Sequence, residues 1–171
     1  ADGVAPESQF ARRLAENGYQ VIVPALLDRS ARWSGEYISS KGGGIYPSFH
    51  NQPHREWIHR MAYMMGRNIM GFEVQKMMSL VDWLKQQAGE DARIGIAGYG
   101  EGGMIAMYSA AVDTRIDAAL VSGYFKSRQE LWEEPIYRLV WALLYEFGDA
   151  EIATLIAPRG LVVEYCEEPT L

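Results

Sequence analysis

The sequence predicts an α/β protein in which a mostly parallel sheet is covered by helices on both faces. Short apolar runs typical of buried strands alternate along the chain with apolar stripes at helical spacing. This alternation indicates parallel strands, because each of them needs a crossover connection, which is usually a helix. The composition, 49% hydrophobic and 22% charged residues, is that of one soluble globular domain over residues 1–171.

The first elements are a helix, a strand and a loop. Residues Pro6 to Glu16 are expected to form a helix, because proline suits a first turn and Gly18 follows the last one. Tyr19 to Leu27 begins with the run YQVIV, which predicts a buried strand that stops at Pro24. The segment 29–53 contains a glycine triplet and two prolines, and it is predicted to be a loop.

A long helical segment is expected from Arg55 to about Gln87, with a break near Gly66 or Gly71. Its second part carries one apolar stripe, formed by Met70, Val74, Met77, Val81 and Leu84.

The second half predicts three strands, at Arg93–Ala97, Ile116–Ser122 and Gly160–Glu164. The helix between the first two carries a stripe of mostly small residues, which lets it approach a sheet closely: Gly103, Ala106, Met107, Ala110 and Ala111. A third stripe predicts another helix through Ile136, Leu139, Val140, Leu143, Leu144 and Phe147. Asp149 is expected to cap a short helix after it.

The most informative motif is Gly98 to Gly103, GYGEGG, which follows the apolar run IGIA. A phosphate-binding loop is disfavoured, because Met104 and Ile105 stand where Lys and Ser or Thr are needed. A dinucleotide site is disfavoured, because no acidic residue ends a strand about 20 positions later. The strand–turn–helix pattern G-x-S-x-G, which presents a catalytic serine, matches except at its central position.

Four stretches carry a resemblance to a known family: APESQFARRLAENGYQVIVP, NQPHREWIHRMAYMMGRNIMGFEVQK, IGIAGYGEGGMIAMYSAAVDTRIDAALVSGYF and EIATLIAPRGLVVE. The chain resembles the α/β-hydrolase fold, in the branch of dienelactone hydrolase-like and acetyl xylan esterase-like proteins. This resemblance implies carboxyl-ester hydrolysis by a nucleophile on the strand–helix turn, an acid after the last strand and a later histidine.

Of three positions that the resemblance assigns, one departs from the pattern, one keeps its role and one has several candidates. The nucleophile position is Gly100, which has no side chain that could attack an acyl carbon. Glu101 keeps the expected role of backbone oxyanion donor, through its N–H. Glu168 is the best candidate for the acid position, with Glu167 and Glu164 as alternatives.

The histidines also depart from the pattern. His50, His54 and His59 all precede the turn, and none follows it as far as Leu171, so a triad of the family type is not completed by these residues. The three histidines are expected to pack rather than to bind zinc, because their spacing across Pro53 gives no helical ligand pair. No metal and no cofactor is therefore predicted.

The predicted function is that of a catalytically degenerate relative of carboxyl-ester hydrolases, that is, a pseudoenzyme. Two alternatives stay open: an active esterase or lactone hydrolase that obtains its chemistry from other segments or an altered nucleophile, and a binding or assembly component that uses the old pocket or surface. If the protein is active, its substrate is expected to be a small acylated compound or a lactone. Cys166 is disfavoured as a displaced nucleophile, because its neighbours in sequence are glutamates.

Charge and chain organisation restrict the partners. The net charge of −6 argues against nucleic acid and anionic membranes as partners. The compartment stays open, since a signal peptide could have been removed. The resemblance implies a further strand before Ala1, so the fold is expected to be incomplete, with the strand supplied by a longer chain or by another polypeptide in a larger assembly.

Overall fold

The computed structural model describes residues 9–27, 33–34 and 52–166, and side chains are described in these ranges except at 33–34, 52–53 and 130. The helices and strands follow one another as α1 (Phe10–Glu16), β1 (Trp33–Ser34), β2 (Gln52–Pro53), α2 (His54–Met64), α3 (Ile69–Ala88), β3 (Gly95–Tyr99), α4 (Glu101–Val112), β4 (Ala118–Ser122), α5 (Leu143–Glu146), α6 (Asp149–Thr154) and β5 (Gly160–Glu164). Two short 3₁₀ turns, Arg128–Glu133 and Ile136–Arg138, lie between β4 and α5. Of the helices in the described ranges, none combines the length and apolar character of a transmembrane span.

The central sheet is parallel, in the order β3–β4–β5. Its register aligns the carboxyl ends of the three strands, so that Tyr99 lies opposite Ser122 and Ser122 lies opposite Glu164. In open parallel sheets the carboxyl edge is where ligands bind. β1 and β2 form a separate antiparallel bridge of two residue pairs. The predicted α/β class with a parallel sheet is confirmed.

The small-residue helix α4 packs directly on the sheet, as its pattern predicts. It contacts β3, β4, α3 and α6. Ala106 and Ala110 are buried, together with Met104 and Met107. The core is completed by Ile69, Met70, Met77 and Val81 of α3 and by Ile152 and Ile156 at and after α6. The apolar stripe predicted on α3 is thus used as core, with Met70, Met77 and Val81 buried and Val74 and Leu84 half-buried.

Among the described residues, α4 covers one face of the sheet and the opposite face is exposed. Ala97, Leu120 and Val162 lie in register on that second face. All three are exposed, and Val162 keeps 59% of its surface. The sequence predicts helices on both faces, and the described helices account for one of them.

The break in the long helical segment falls where a glycine allows it. α2 ends at Met64 and α3 begins at Ile69, and Gly66 between them has a φ of 66°. Asn68 caps α3, because its side-chain oxygen accepts a hydrogen bond from the Met70 N–H. Gly71 lies inside α3, so the predicted break is confirmed at Gly66.

The strand expected to run from Tyr19 and to stop at Pro24 is not formed. These residues have no strand hydrogen bonds. The carboxyl-terminal end of the segment 19–27 is instead bonded to side chains of α2 and α3. The Leu27 N–H donates to the buried Glu73 carboxylate, Lys76 Nζ donates to the Ala25 carbonyl, and Arg55 Nη1 donates to the Leu27 carbonyl. A strand needs a neighbour to pair with, and no described residue pairs with the outer edge of β3. The helix before it is described from Phe10, and its predicted start at Pro6 lies outside the described residues.

The helix predicted from the stripe between Ile136 and Phe147 is also not formed as a continuous element. The region has one 3₁₀ turn, a left-handed residue at Ala142 (φ 60°) and the four-residue α5. Ion pairs made by Arg138 and its neighbours hold this segment, and they override its helical periodicity. Asp149 is not the cap of α6 either. The cap is Gly148, and the Asp149 carboxylate is turned inward to Arg128.

Candidate active site

The turn between β3 and α4 has the geometry of a sharp strand-to-helix elbow, with Gly100 at its crest. Gly100 has φ 55° and ψ −121°, a conformation that side-chain-bearing residues adopt only under strain. Its N–H donates to the Ser122 carbonyl at 2.9 Å, and its carbonyl accepts from the Met104 N–H at 3.2 Å. The turn is therefore fixed both to the neighbouring strand and to the first turn of α4.

Two flanking glycines make this turn sterically feasible. A Cβ on Gly98 would overlap the carbonyl group of Gly102, one helical turn ahead. A Cβ on Gly103 would lie 2.9 Å from the Ser122 carbonyl oxygen. Strand and helix approach so closely here that only glycine fits at these two positions. The sequence predicts this tight turn, and the structure confirms it.

The side chain of Glu101 has a role that the sequence analysis did not identify. Glu101 is buried, and its Oε1 lies 2.6 Å from Arg55 Nη2, while its Oε2 lies 3.5 Å from Arg138 Nε. Arg55 also stacks over the ring of Tyr137, with 4.9 Å from its Cζ to the ring centroid. The sequence signal was a single acidic residue at the start of a helix made otherwise of small and apolar residues.

Arg55 and Asn51 are the residues that, by analogy with similar proteins, would line the mouth of the site. The structure brings Arg55 to the elbow, but as the buried partner of Glu101 rather than as a free cation. Asn51 lies outside the described residues.

A small polar cluster occupies the carboxyl edge of the sheet beside the elbow. Ser122 Oγ donates a 2.6 Å hydrogen bond to Glu164 Oε2 and lies 3.2 Å from Cys166 Sγ. The ring of Tyr99 lies close to Gly123, which has a φ of 62°. Glu164, one of the three candidates for the acid position, is thereby held by Ser122. Glu168 and Glu167 lie outside the described residues, so their role stays a prediction.

A cleft of about 240 Å³ adjoins this cluster. The described residues that line it are Gly123, Tyr124, Phe125, Lys126, Glu164, Tyr165 and Cys166. The rings of Phe125 and Tyr165 meet edge to face in its wall, with their centroids 6.3 Å apart. The cleft therefore combines aromatic surface with one carboxylate and one thiol.

The two described histidines are engaged in packing on α2. His54 stacks on Trp57 with ring centroids 5.7 Å apart. His59 is buried, and burial together with the nearby Arg60 charge lowers its pKa, so its neutral form is favoured. Within the ranges that the structure describes, no three His, Cys, Asp or Glu side chains are grouped as a metal site, and His50 lies outside these ranges.

The described residues form a parallel sheet, a glycine-rich elbow at the carboxyl end of one of its strands, and a small-residue helix that follows the elbow. A family model described as the dienelactone hydrolase family matches residues 2–138, which is most of the chain and includes the elbow. No curated protein and no solved structure matches the chain at a significant level. This chain belongs to the dienelactone hydrolase family, whose members have an α/β-hydrolase type of fold.

Proposed function

We propose that this chain is a catalytically degenerate member of its hydrolase family. The single observation that carries the proposal is Gly100 at the crest of the elbow, where the G-x-S-x-G pattern has its nucleophile. Hydrolysis by this mechanism needs a side-chain oxygen or sulfur that bonds to the acyl carbon, and glycine has neither. Removing a serine nucleophile from a hydrolase lowers kcat by about 10⁶.

The surroundings of Gly100 support a natural glycine with an intact turn. Its φ of 55° and ψ of −121° strain any other residue, so glycine relaxes the elbow while the backbone path stays the same. The Glu101 backbone N–H at the start of α4 is the proposed oxyanion donor that remains in such a turn. Glu101 itself is fixed by its ion pair with Arg55, which keeps the first turn of the helix in place.

The experiment compares the native full chain with Gly100→Ser, Gly100→Cys and the matched control Gly100→Ala. Hydrolysis of p-nitrophenyl acetate is measured, together with covalent labelling by a serine-directed fluorophosphonate and intact-mass analysis. We expect the native chain and Gly100→Ala to show neither turnover nor labelling above the buffer rate. Saturable turnover by the native chain, or stoichiometric labelling of any of its residues, would overturn the proposal.

The serine and cysteine variants identify how much of the site was lost. A gain of turnover in either variant, absent from Gly100→Ala, indicates that the pocket is retained and that the nucleophile was the missing part. No gain in either variant indicates that the base is missing as well. Both results agree with degeneracy of the native chain, because that proposal is tested only by the turnover and labelling of the native chain itself.

A binding role is the second candidate, and the cleft beside Glu164 and Cys166 favours it. A lactone or ester ligand would sit against the Phe125 and Tyr165 rings without being cleaved. The test is a calorimetric titration of the native chain with γ-butyrolactone. Saturable binding with the lactone recovered unchanged supports this role, and a titration without heat of binding contradicts it.

A further inference from the structure

A second cavity is lined by residues other than the crest of the turn. It has a volume of about 50 Å³, and two tyrosines, Tyr108 of α4 and Tyr124 after β4, contribute to its wall. Their hydroxyl oxygens are 3.4 Å apart, which is longer than the 2.7–2.8 Å typical of a bond between hydroxyls. Each tyrosine hydroxyl has one proton to donate, and the long contact between the two oxygens engages only one of these two protons, in a weak hydrogen bond. At least one O–H is therefore available to an acceptor placed between them.

Both phenols stay protonated. Burial is the main cause of the raised pKa of Tyr124, and the neighbouring Tyr108 raises this pKa further. Burial also raises the pKa of Tyr108, although its contact with Tyr124 opposes this. Their rings meet edge to face, and the Arg128 guanidinium lies 4.1 Å from the centre of the Tyr124 ring. The two donors are thus held in fixed positions by packing.

The charged groups around the cavity are already engaged with one another. Arg128 pairs with Asp149 at 2.5 Å and with Glu134 at 3.1 Å, and Arg138 pairs with Glu134 at 3.2 Å. All four side chains are more than nine-tenths buried. Burial by itself would lower the pKa of Arg128 and raise that of Glu134, but the ion pairs outweigh burial and keep both groups charged. A charged ligand would have to separate a buried pair, which is costly.

The rest of the cavity wall is apolar. It is formed by Leu131 and by five residues of the stripe that did not become a continuous helix: Leu139, Val140, Leu143, Leu144 and Phe147. The volume has room for a ligand group of about three or four non-hydrogen atoms, which is the size of acetone or of the acetyl group of a small ester. A lining that combines two phenol hydroxyls with aliphatic side chains is complementary to a small molecule with one acceptor oxygen and an apolar body.

We propose that this cavity is a binding site for a small uncharged carbonyl compound, whose oxygen accepts hydrogen bonds from Tyr108 and Tyr124. An oxygen about 2.8 Å from each hydroxyl bridges the two donors and replaces their long mutual contact. The cavity is distinct from the elbow site, because neither Gly100 nor the Ser122–Glu164 cluster lines it. Two residues connect the two places: Arg138 lines the cavity and also contacts Glu101, and Tyr124 lines both the cavity and the cleft beside Glu164.

The experiment titrates the native full chain, labelled at Leu and Val methyl groups, with methyl acetate and separately with acetone, and follows the methyl NMR signals. We expect saturable shifts at Leu139, Val140, Leu143 and Leu144. Acetate, which has the carbonyl oxygen but a negative charge, is expected to bind at least about tenfold more weakly. Because Gly100 is unchanged in these samples, the result does not depend on whether the chain hydrolyses esters, and substrate consumption is followed in the same spectra.

The variants Tyr108→Phe and Tyr124→Phe remove one donor each and keep the rings. Each is expected to weaken binding of methyl acetate, and both together by about tenfold. Tyr145→Phe, at an exposed tyrosine, is the matched control and is expected to change nothing. The methyl spectrum of each variant also reports whether it is folded. Equal affinity in the double variant and the native chain, equal affinity for acetate and methyl acetate, or no saturable shift at these methyl groups would each overturn the proposal.

Discussion

Arg55 of α2 and Glu101 of α4 form a buried ion pair, with 2.6 Å between Nη2 and Oε1 and both side chains more than nine-tenths buried. The pair joins the helix that follows the loop region to the residue directly after the crest of the elbow. Arg138 approaches the same carboxylate from the other side at 3.5 Å. The first turn of α4 is therefore held by charge as well as by packing on the sheet.

Removing the Glu101 carboxylate should be costly, because the buried Arg55 guanidinium loses its carboxylate partner and Arg138 loses one of the two carboxylates that it contacts. We expect Glu101→Ala to lower the free energy of unfolding by about 3 kcal/mol or more, measured by urea denaturation. The control is Glu56→Ala, which breaks the partly exposed pair with Arg60 on α2 and should cost about 0.5 kcal/mol. The double variant Arg55→Met/Glu101→Leu should lose less stability than Glu101→Ala alone, because no unpaired charge is left at position 55. Equal losses for Glu101→Ala and Glu56→Ala would contradict the burial of the Arg55–Glu101 pair.

Gly98 should tolerate no side chain. In Gly98→Ala the new Cβ overlaps the Gly102 carbonyl, so the strand and helix must separate, at a cost of about 4 kcal/mol or more. The matched control is Gly71→Ala inside α3, where a Cβ meets nothing within 4 Å. That change should raise the free energy of unfolding by about 0.5 to 1 kcal/mol, because alanine favours the helix. Thermal unfolding of both variants checks the pair, and similar melting temperatures would refute the close approach.

A side chain at position 100 should also be unfavourable, but because of the backbone conformation rather than the steric overlap found at Gly98. In Gly100→Ala the φ of 55° is retained at a cost of about 2 kcal/mol, measured by urea denaturation. Gly102→Ala, two residues further in α4, has neither positive φ nor a neighbour within 4 Å of the new Cβ, and it should be neutral or slightly stabilising. If the two variants unfold at the same urea concentration, the elbow conformation assigned to residue 100 is wrong.

Asp113 at the end of α4 should make stability depend on pH in the acid range. Hydrogen bonds from Arg115 lower the pKa of Asp113, and burial only partly opposes this shift. A carboxyl group whose pKa is lower in the folded state stabilises the fold above its unfolded pKa and loses this contribution as the pH falls through the folded value. Asp113→Asn should therefore unfold more easily than the native chain at pH 7, with the difference shrinking below about pH 4.

Urea denaturation at a series of pH values measures this difference. Asp91→Asn, at an exposed carboxylate in the turn before β3, is the control and should change the free energy of unfolding at pH 7 by no more than about 0.5 kcal/mol. A stability gap between Asp113→Asn and the native chain that stays constant down to pH 2 would show that Arg115 does not shift the titration of this residue.

The elements that the sequence predicts well are those whose signals are local. The strand–turn–helix around Gly98 to Gly103, the small-residue face of α4 and the helix break at Gly66 follow from steric limits on glycine and from periodicity. The segment Tyr19–Leu27 shows the limit of this reasoning. Its apolar run has the composition of a strand, but strand formation depends on a pairing neighbour, which composition does not report.

The sequence by itself determined the α/β class, the family and the glycine at the crest of the elbow, because each depends on short-range patterns or on the identity of one residue. Only the tertiary structure decided that Glu101 is buried between Arg55 and Arg138, and that the stripe after Ile136 bends around a cavity instead of forming a helix. The physical reason is that buried charges must find partners, and these partners come from segments distant in sequence. The energy of such pairing exceeds the weak preference of a local stripe for a helix.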